Sequence, residues 1–261
     1  MTSIGTGYDL SNSVFSPDGR NFQVEYAAKA VENGGTAIGL RCQDGVVLAV
    51  EKLVMSKLLV ESSNRRISTV DRHIGIAFSG LIPDGRAFVN RARDQAAQWR
   101  RNFQSPMPIS SIADDMGGLA QAYTLYSSVR PFGITAIIGG VDEDGKPGLY
   151  MIEPSGLYWG YYGAATGKGR QAAKAEIEKL DLANITIREA VKHAARIIHS
   201  AHEDSKDKEF QIEMTWVGKE ETGGRHQVVP KELQEEAERL AKKALEGEDD
   251  DEDEEKEKME E

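Results

Sequence analysis

Apolar positions along the chain follow two different periods. Over 21–32 the pattern is helical: Phe22, Tyr26 and Ala30 share one stripe, with Val24, Ala27 and Val31 beside it. Asn33-Gly34-Gly35 ends the stretch, since glycine readily takes the left-handed conformation that closes a helix. Before it stands "SPDGR", a turn by its chemistry: Pro17 presets φ and Asp18-Gly19 supplies the reversal. A helix this short is marginal alone in water and needs a surface to pack on.

The period then changes to strands. "TAIGLRC" and "VVLAVEK" flank Gln43-Asp44-Gly45 as a hairpin, and "RISTVD" and "HIGIAFSG" follow. Helical spacing returns over 83–103 and 108–127, the second carrying Ile109, Ile112, Met116, Leu119, Ala120, Tyr123 and Tyr126. "FGITAIIGGV", "LYMIEP" and "LYWGYYG" read as three strands, with Asp142–Gly148 as a polar turn. Helices are expected over 169–180 and 187–204, then the strand "FQIEMTWVG", then a helix over 230–245. Strands, two helices, strands, two helices: this order predicts an α+β four-layer αββα sandwich, two antiparallel sheets between paired helical layers, with an added N-terminal helix. A doubly wound parallel sheet would instead alternate strand with helix.

The 261 residues suffice for one large domain, and 39% hydrophobic with 29% charged residues is ordinary for a globular chain. The net charge of −11 is local: 246–261 holds 12 acidic residues and two lysines, leaving 31 acidic against 30 basic elsewhere. The expected organisation is a lead over 1–15, a body over 16–245 and a disordered acidic tail over 246–261. Nothing basic is concentrated enough to suggest nucleic acid, and the apolar runs are too short to span a bilayer. The start lacks a basic, then apolar, signal segment. Cys42 is the single cysteine, which excludes an intrachain disulfide and suits a reducing compartment. A soluble intracellular protein is expected.

Several stretches invite a chemical reading. "GAATGKGR" follows a strand and opens a helix, but a phosphate loop needs four residues between its first glycine and Gly-Lys, then Ser or Thr. Here three intervene and Gly169 replaces the hydroxyl, so a close strand-to-helix turn is the reading. "DEDG" lacks the remaining ligands of a calcium loop and reads as a hairpin tip. His193, His199 and His202 share one predicted helix without a completed ligand set, and read as a partly solvated face. No catalytic set, metal site or cofactor site emerges from the residues alone.

At Tyr8-Asp9, "FSPDGRNFQVEYAAKAV" and "GTAIGL…DGVVLAVEK", the chain closely resembles the alpha subunits of the proteasome core particle. "SGLIPDGR", "YTLYSSVRPFGI" and "MIEPSG" extend the resemblance over 5–245. "GTGYDLS", "ARIIHSAHEDSKDKEFQIEMTWV" and the acidic tail narrow it to one eukaryotic branch.

The resemblance implies the N-terminal-nucleophile hydrolase fold and a seven-membered ring of alpha subunits stacked on beta rings, opened by a regulatory particle or other activators. It also implies ubiquitin-dependent protein degradation in cytoplasm and nucleus. In that family the lead helps close the axial pore and the first helix bridges neighbours, which would supply the missing surface. Tyr8, Asp9, Pro17 and Tyr26 match the gate cluster, and Leu10 departs from the arginine of some relatives. Arg66 matches the position that presents a lysine to an activator's C-terminal carboxylate, and an arginine could fork onto it. Beta subunits attack with an N-terminal threonine. Aligning "DGVVLAVEK" puts Gly35 at that threonine, Glu51 at the aspartate, and Arg66 or Ile67 at the lysine. Glycine carries no nucleophile, so the expected activity is none and the expected role is structural and gating. The rivals are a hydrolase processed to Thr36 and a nucleotide-binding module built on "TGKGR".

Overall fold

The computed structural model describes residues 5, 7–60, 63–203 and 209–260, excepting the side chains of 203 and 246–260. Asn21 caps the first helix, α1 (Phe22–Glu32), its side chain accepting from the Val24 N–H. Four strands follow: β1 (Ala37–Arg41), β2 (Gly45–Leu53), β3 (Ile67–Asp71) and β4 (Ile74–Gly80). Helices α2 (Ile82–Phe103) and α3 (Ile109–Ala122) precede β5 (Ile134–Val141), β6 (Pro147–Ile152), β7 (Tyr158–Gly160) and β8 (Gly163–Thr166). The chain closes with α4 (Arg170–Glu178), α5 (Ile187–Glu203), β9 (Phe210–Gly218), the two-residue β10 (Gln227–Val228) and α6 (Lys231–Glu260).

The strands form two five-stranded sheets, ordered β10-β9-β2-β1-β8 and β3-β4-β5-β6-β7. Every pairing is antiparallel, as the αββα reading requires and a doubly wound sheet does not. Three apolar layers define the sandwich. Ile38, Leu40, Val47 and Met214 of the first sheet pack on Val191, Ala194 and Ile198 of α5 and Ala237 of α6. Ile76 and Ile138 of the second pack on Phe88, Ile112 and Met116 of α2 and α3. Val46, Leu48, Ile137 and Leu149 fill the space between the sheets. That space is narrow: a Cβ on Gly139 would stand 2.6 Å from Val46 Cγ1. His226 ties the sheets at one edge, its ring nitrogens 2.7 Å from Thr69 Oγ1 and 2.9 Å from Thr215 Oγ1; burial pushes its pKa down to about 4.

Three local expectations are corrected. "LYWGYYG" is two strands, not one: the Tyr161 N–H still bonds Leu149 O of the second sheet, while Tyr162 O accepts from Arg41 of the first. The chain changes sheet between them. Helix α3 stops at Ala122 rather than running to 127, because Thr124 turns its hydroxyl back to Gln121 O at 2.6 Å and Pro131 restricts the segment beyond. The backbone of α6 is helical to Glu260, past the expected end at 245; the side chains of the acidic stretch 246–261 lie outside the described residues.

Candidate functional site

Two polar clusters lie beside α1. The first joins the lead to the helix. Tyr26 Oη donates to Asp9 Oδ2 at 3.0 Å and accepts from the Gly5 N–H at 3.3 Å, and the Gln23 amide donates to Asp9 O. The Tyr8 N–H bonds Gly5 O at 2.7 Å, turning the chain back, while the Tyr8 ring stays exposed. The "SPDGR" turn closes as expected, with Gly19 N to Ser16 O at 2.9 Å and Ser16 N to Arg20 O at 3.0 Å. Arg20 then pairs with Glu25 and lies over the Phe22 ring. Of the four gate candidates, the structure brings Asp9 and Tyr26 together. Tyr8 joins them through its backbone, and Pro17 sits apart on the exposed turn.

Sequence reasoning missed Asn12. It is 4% exposed, and its side-chain amide reaches the carbonyls of Tyr123, Tyr126 and Val129 at 2.9, 3.3 and 2.6 Å. A lone asparagine in a polar lead gives no periodic signal. Asn21, directly before the apolar stripe, occupies a position where an asparagine signals a helix start.

The second cluster occupies the cleft where the resemblance looks for a nucleophile. Thr36 is 1% exposed; its N–H donates to Glu51 Oε2 at 3.1 Å, and its hydroxyl oxygen accepts from the Gly169 N–H at 3.0 Å. Glu51 Oε1 meets His202 Nδ1 at 2.6 Å, and the His202 ring stacks on Phe210 at 4.0 Å. Gly35 O accepts from Ser79 Oγ at 2.7 Å, and a Cβ on Gly35 would stand 2.5 Å from Glu51 O. A threonine side chain therefore does not fit at 35. The phosphate-loop lookalike is spent here too: Lys168 N donates to Gly34 O at 2.9 Å and Gly169 N to Thr36. The expected solvated histidine face is corrected, since His199 and His202 both pack on Phe210. Burial is the main cause that pushes His199 down to about 4, helped by Lys242 and His202.

Arg66 lies at the start of β3, half-buried. Its guanidinium bonds the side chain and carbonyl of Asn64, and burial is the largest cause that lowers its pKa, opposed by Glu213. Glu213 accepts from the N–H groups of Arg66 at 2.8 Å and Ile67 at 3.3 Å, and stands 4.0 Å from Lys52 Nζ. The aligned lysine position thus holds a guanidinium turned into its own loop.

Comparisons with known proteins agree with this geometry. The family profile described as "Proteasome subunit" matches 31–217, and a second profile, for the N-terminal signature of A-type proteasome subunits, matches 8–30. The chain is 61% identical over 253 residues to the "Probable proteasome subunit alpha type-7" of Saccharomyces cerevisiae, covering 96% of this chain and 88% of the relative. It is 60% identical over 248 residues to the "Proteasome subunit alpha type-3" of Acanthamoeba castellanii, covering 95% and 98%. The same-named protein of Oryza sativa subsp. japonica is 52% identical over 246 residues, covering 94% and 98%.

Proposed function

The chain belongs to the proteasome alpha-subunit family, and from that premise we propose that it is a silent ring subunit whose lead restricts substrate passage. Alpha subunits form the outer, non-catalytic ring of the core particle and assemble with other proteasome subunits. The finer reading is ours: a seven-membered ring of different alpha subunits, set on beta rings and opened by a regulatory particle or other activators. Cytoplasm and nucleus are the proposed compartments. The buried Cys42 thiol, pushed up to about 12 chiefly by burial, is kept from oxidative chemistry there.

One observation carries the gating role: the part of the lead before Asn12 is docked on α1 by few contacts, Asp9 to Tyr26 at the surface, Gly5 to Tyr26 and Gln23 to Asp9 O. Contacts of this kind hold a segment in place and release it at small cost. Silence rests on the cleft. Gly35 offers no nucleophile, Thr36 is engaged through both its N–H and its hydroxyl, and the chain runs unbroken through both into α1. An attacking threonine needs a free amine and an accessible hydroxyl, and this arrangement provides neither. Core particles whose copy of this chain lacks residues 1–11 are expected to hydrolyse a small fluorogenic peptide many-fold faster than the intact particle without activator. Unchanged hydrolysis would remove the gating role.

Arg66 is the proposed contact for an activator's C-terminal carboxylate. The incoming group must displace Asn64 from the guanidinium, and the Glu213 carboxylate opposes it. Arg66→Ala is therefore expected to lower activator affinity only a few-fold in a titration followed by peptide hydrolysis. An unchanged midpoint would count against that role.

A further inference from the structure

Gly5 and Asp9 are tied to α1, but something must fix where the lead leaves the body. Asn12 has the geometry for it. It is buried, although both its neighbours, Ser11 and Ser13, are polar and its flanks Leu10 and Phe15 are exposed, Leu10 at 89%. The amide nitrogen carries two hydrogens and faces three carbonyls, so one of the three bonds is shared, and Tyr126 O at 3.3 Å is the longest. Three acceptors around one nitrogen also settle which end of the amide points there. The other end, Oδ1, is buried without a donor among the described residues.

These carbonyls belong to the turn after α3. Tyr123 is the C-cap residue, and its carbonyl is one of those a helix end leaves without an internal partner. On its other side Asn12 offers its own backbone carbonyl to the Asn21 side-chain amide at 2.9 Å, and the Asn21 side-chain oxygen caps the start of α1. Two asparagines thus form a relay. Asn12 closes the C-terminal end of α3, Asn21 closes the N-terminal end of α1, and the lead is threaded between them. Among the described residues, it is Asn12 that makes the lead's hydrogen bonds to the 123–129 turn.

We infer that Asn12 is a positioning residue for the gate: it fixes the point at which residues 7–11 join the body, and it couples them to the 123–129 turn. This rests on the gating role proposed above. Donors are what the position requires. An aspartate of the same shape would face the three carbonyls with oxygen, and a leucine of similar size would leave them bare.

The test uses assembled core particles, a small fluorogenic peptide and backbone hydrogen exchange. Asn12→Leu is expected to raise unstimulated hydrolysis several-fold, to leave the activator-opened rate unchanged, and to speed exchange over both 7–15 and 123–129. In particles already lacking residues 1–11 the same substitution should add nothing, because its effect runs through the lead. A rise of equal size with and without the lead would overturn the inference, as would unaltered exchange over 7–15. If the deletion itself leaves hydrolysis unchanged, the gating role fails, while exchange over 7–15 still reports whether Asn12 holds the lead. Should Asn12→Leu prevent assembly, Asn21→Asp keeps the helix cap and turns an oxygen instead of a donor toward Asn12 O. It is expected to raise hydrolysis less than the deletion does, and no rise would overturn the relay.

Discussion

On the exposed side of α1, Tyr26 is 40% exposed and holds Asp9 through a single hydroxyl; beyond the helix's far end, Glu51 holds Thr36 and His202 out of water. Each cluster joins a carboxylate, a backbone N–H and one other side chain, but Tyr26 Oη links Gly5 N and Asp9 in the first, whereas the Glu51 carboxylate itself links Thr36 N and His202 in the second. Their surroundings set opposite outcomes. A hydrogen bond at the surface exchanges protein for water and is worth about 0.5–1.5 kcal/mol, whereas a buried pair is cheap only while complete. The Asp9–Tyr26 contact is therefore one that can be released at small cost, and the Glu51 cluster one that cannot. On the function proposed above, the positions aligned with catalytic residues serve as structure, and the polar start carries the role.

Breaking the cleft should give the largest effect. Glu51→Ala strands the buried Thr36 N–H and takes the carboxylate away from His202 Nδ1. We expect a loss of about 3–5 kcal/mol in denaturant unfolding of the full-length chain, the range for removing one partner of a buried pair. Glu51→Gln keeps an acceptor for Thr36 and should recover most of that loss. Neither variant should hydrolyse peptides, because emptying the carboxylate does not create a nucleophile at Gly35. A loss no larger than that of a surface substitution would show that the cleft is not locked by this pair.

The two regions also differ in how far the sequence announced them. The sandwich was legible because strand and helix periods alternate in blocks, and the buried stripes of β2, β5 and α5 are long enough to outvote single residues. The sheet change at Tyr161-Tyr162 was not, since an unbroken run of aromatic and glycine residues over 158–163 reads as a single strand whichever sheet it joins. The residue types of the Glu51 cleft could be aligned, but its filling could not. His202 reaches Glu51 across 151 positions, and spacing within α5 says nothing of what β2 and β9 present to it. Asn12 meets 123–129 across a similar separation, for the same reason. In the lead, Asp9 and Tyr26 were singled out by resemblance. The hydrogen bond between them then gave that pairing a physical basis, which Pro17 on its exposed turn does not share.

The smallest expected effect sharpens the comparison from the other side. Tyr26→Phe removes one hydroxyl and leaves the ring where it packs, 6.2 Å from Phe22. The Asp9 carboxylate, on the exposed side, can turn to water, while the Gly5 N–H, buried against the Phe22 ring, loses one long bond of 3.3 Å. The stability of the chain should hardly change. The docking of the lead should weaken by roughly 1 kcal/mol, about a fivefold shift in the fraction released, because the Gln23 bond to Asp9 O remains. Unstimulated peptide hydrolysis by the assembled particle should rise by no more than that factor and stay well below the rate of particles lacking residues 1–11. A rise matching the deletion would make Tyr26 the sole latch and Asn12 dispensable. No rise at all would mean that the lead is held in the ring by neighbouring subunits rather than by its own helix, and the contrast between a releasable lead and a locked cleft would then belong to the assembly instead of the chain.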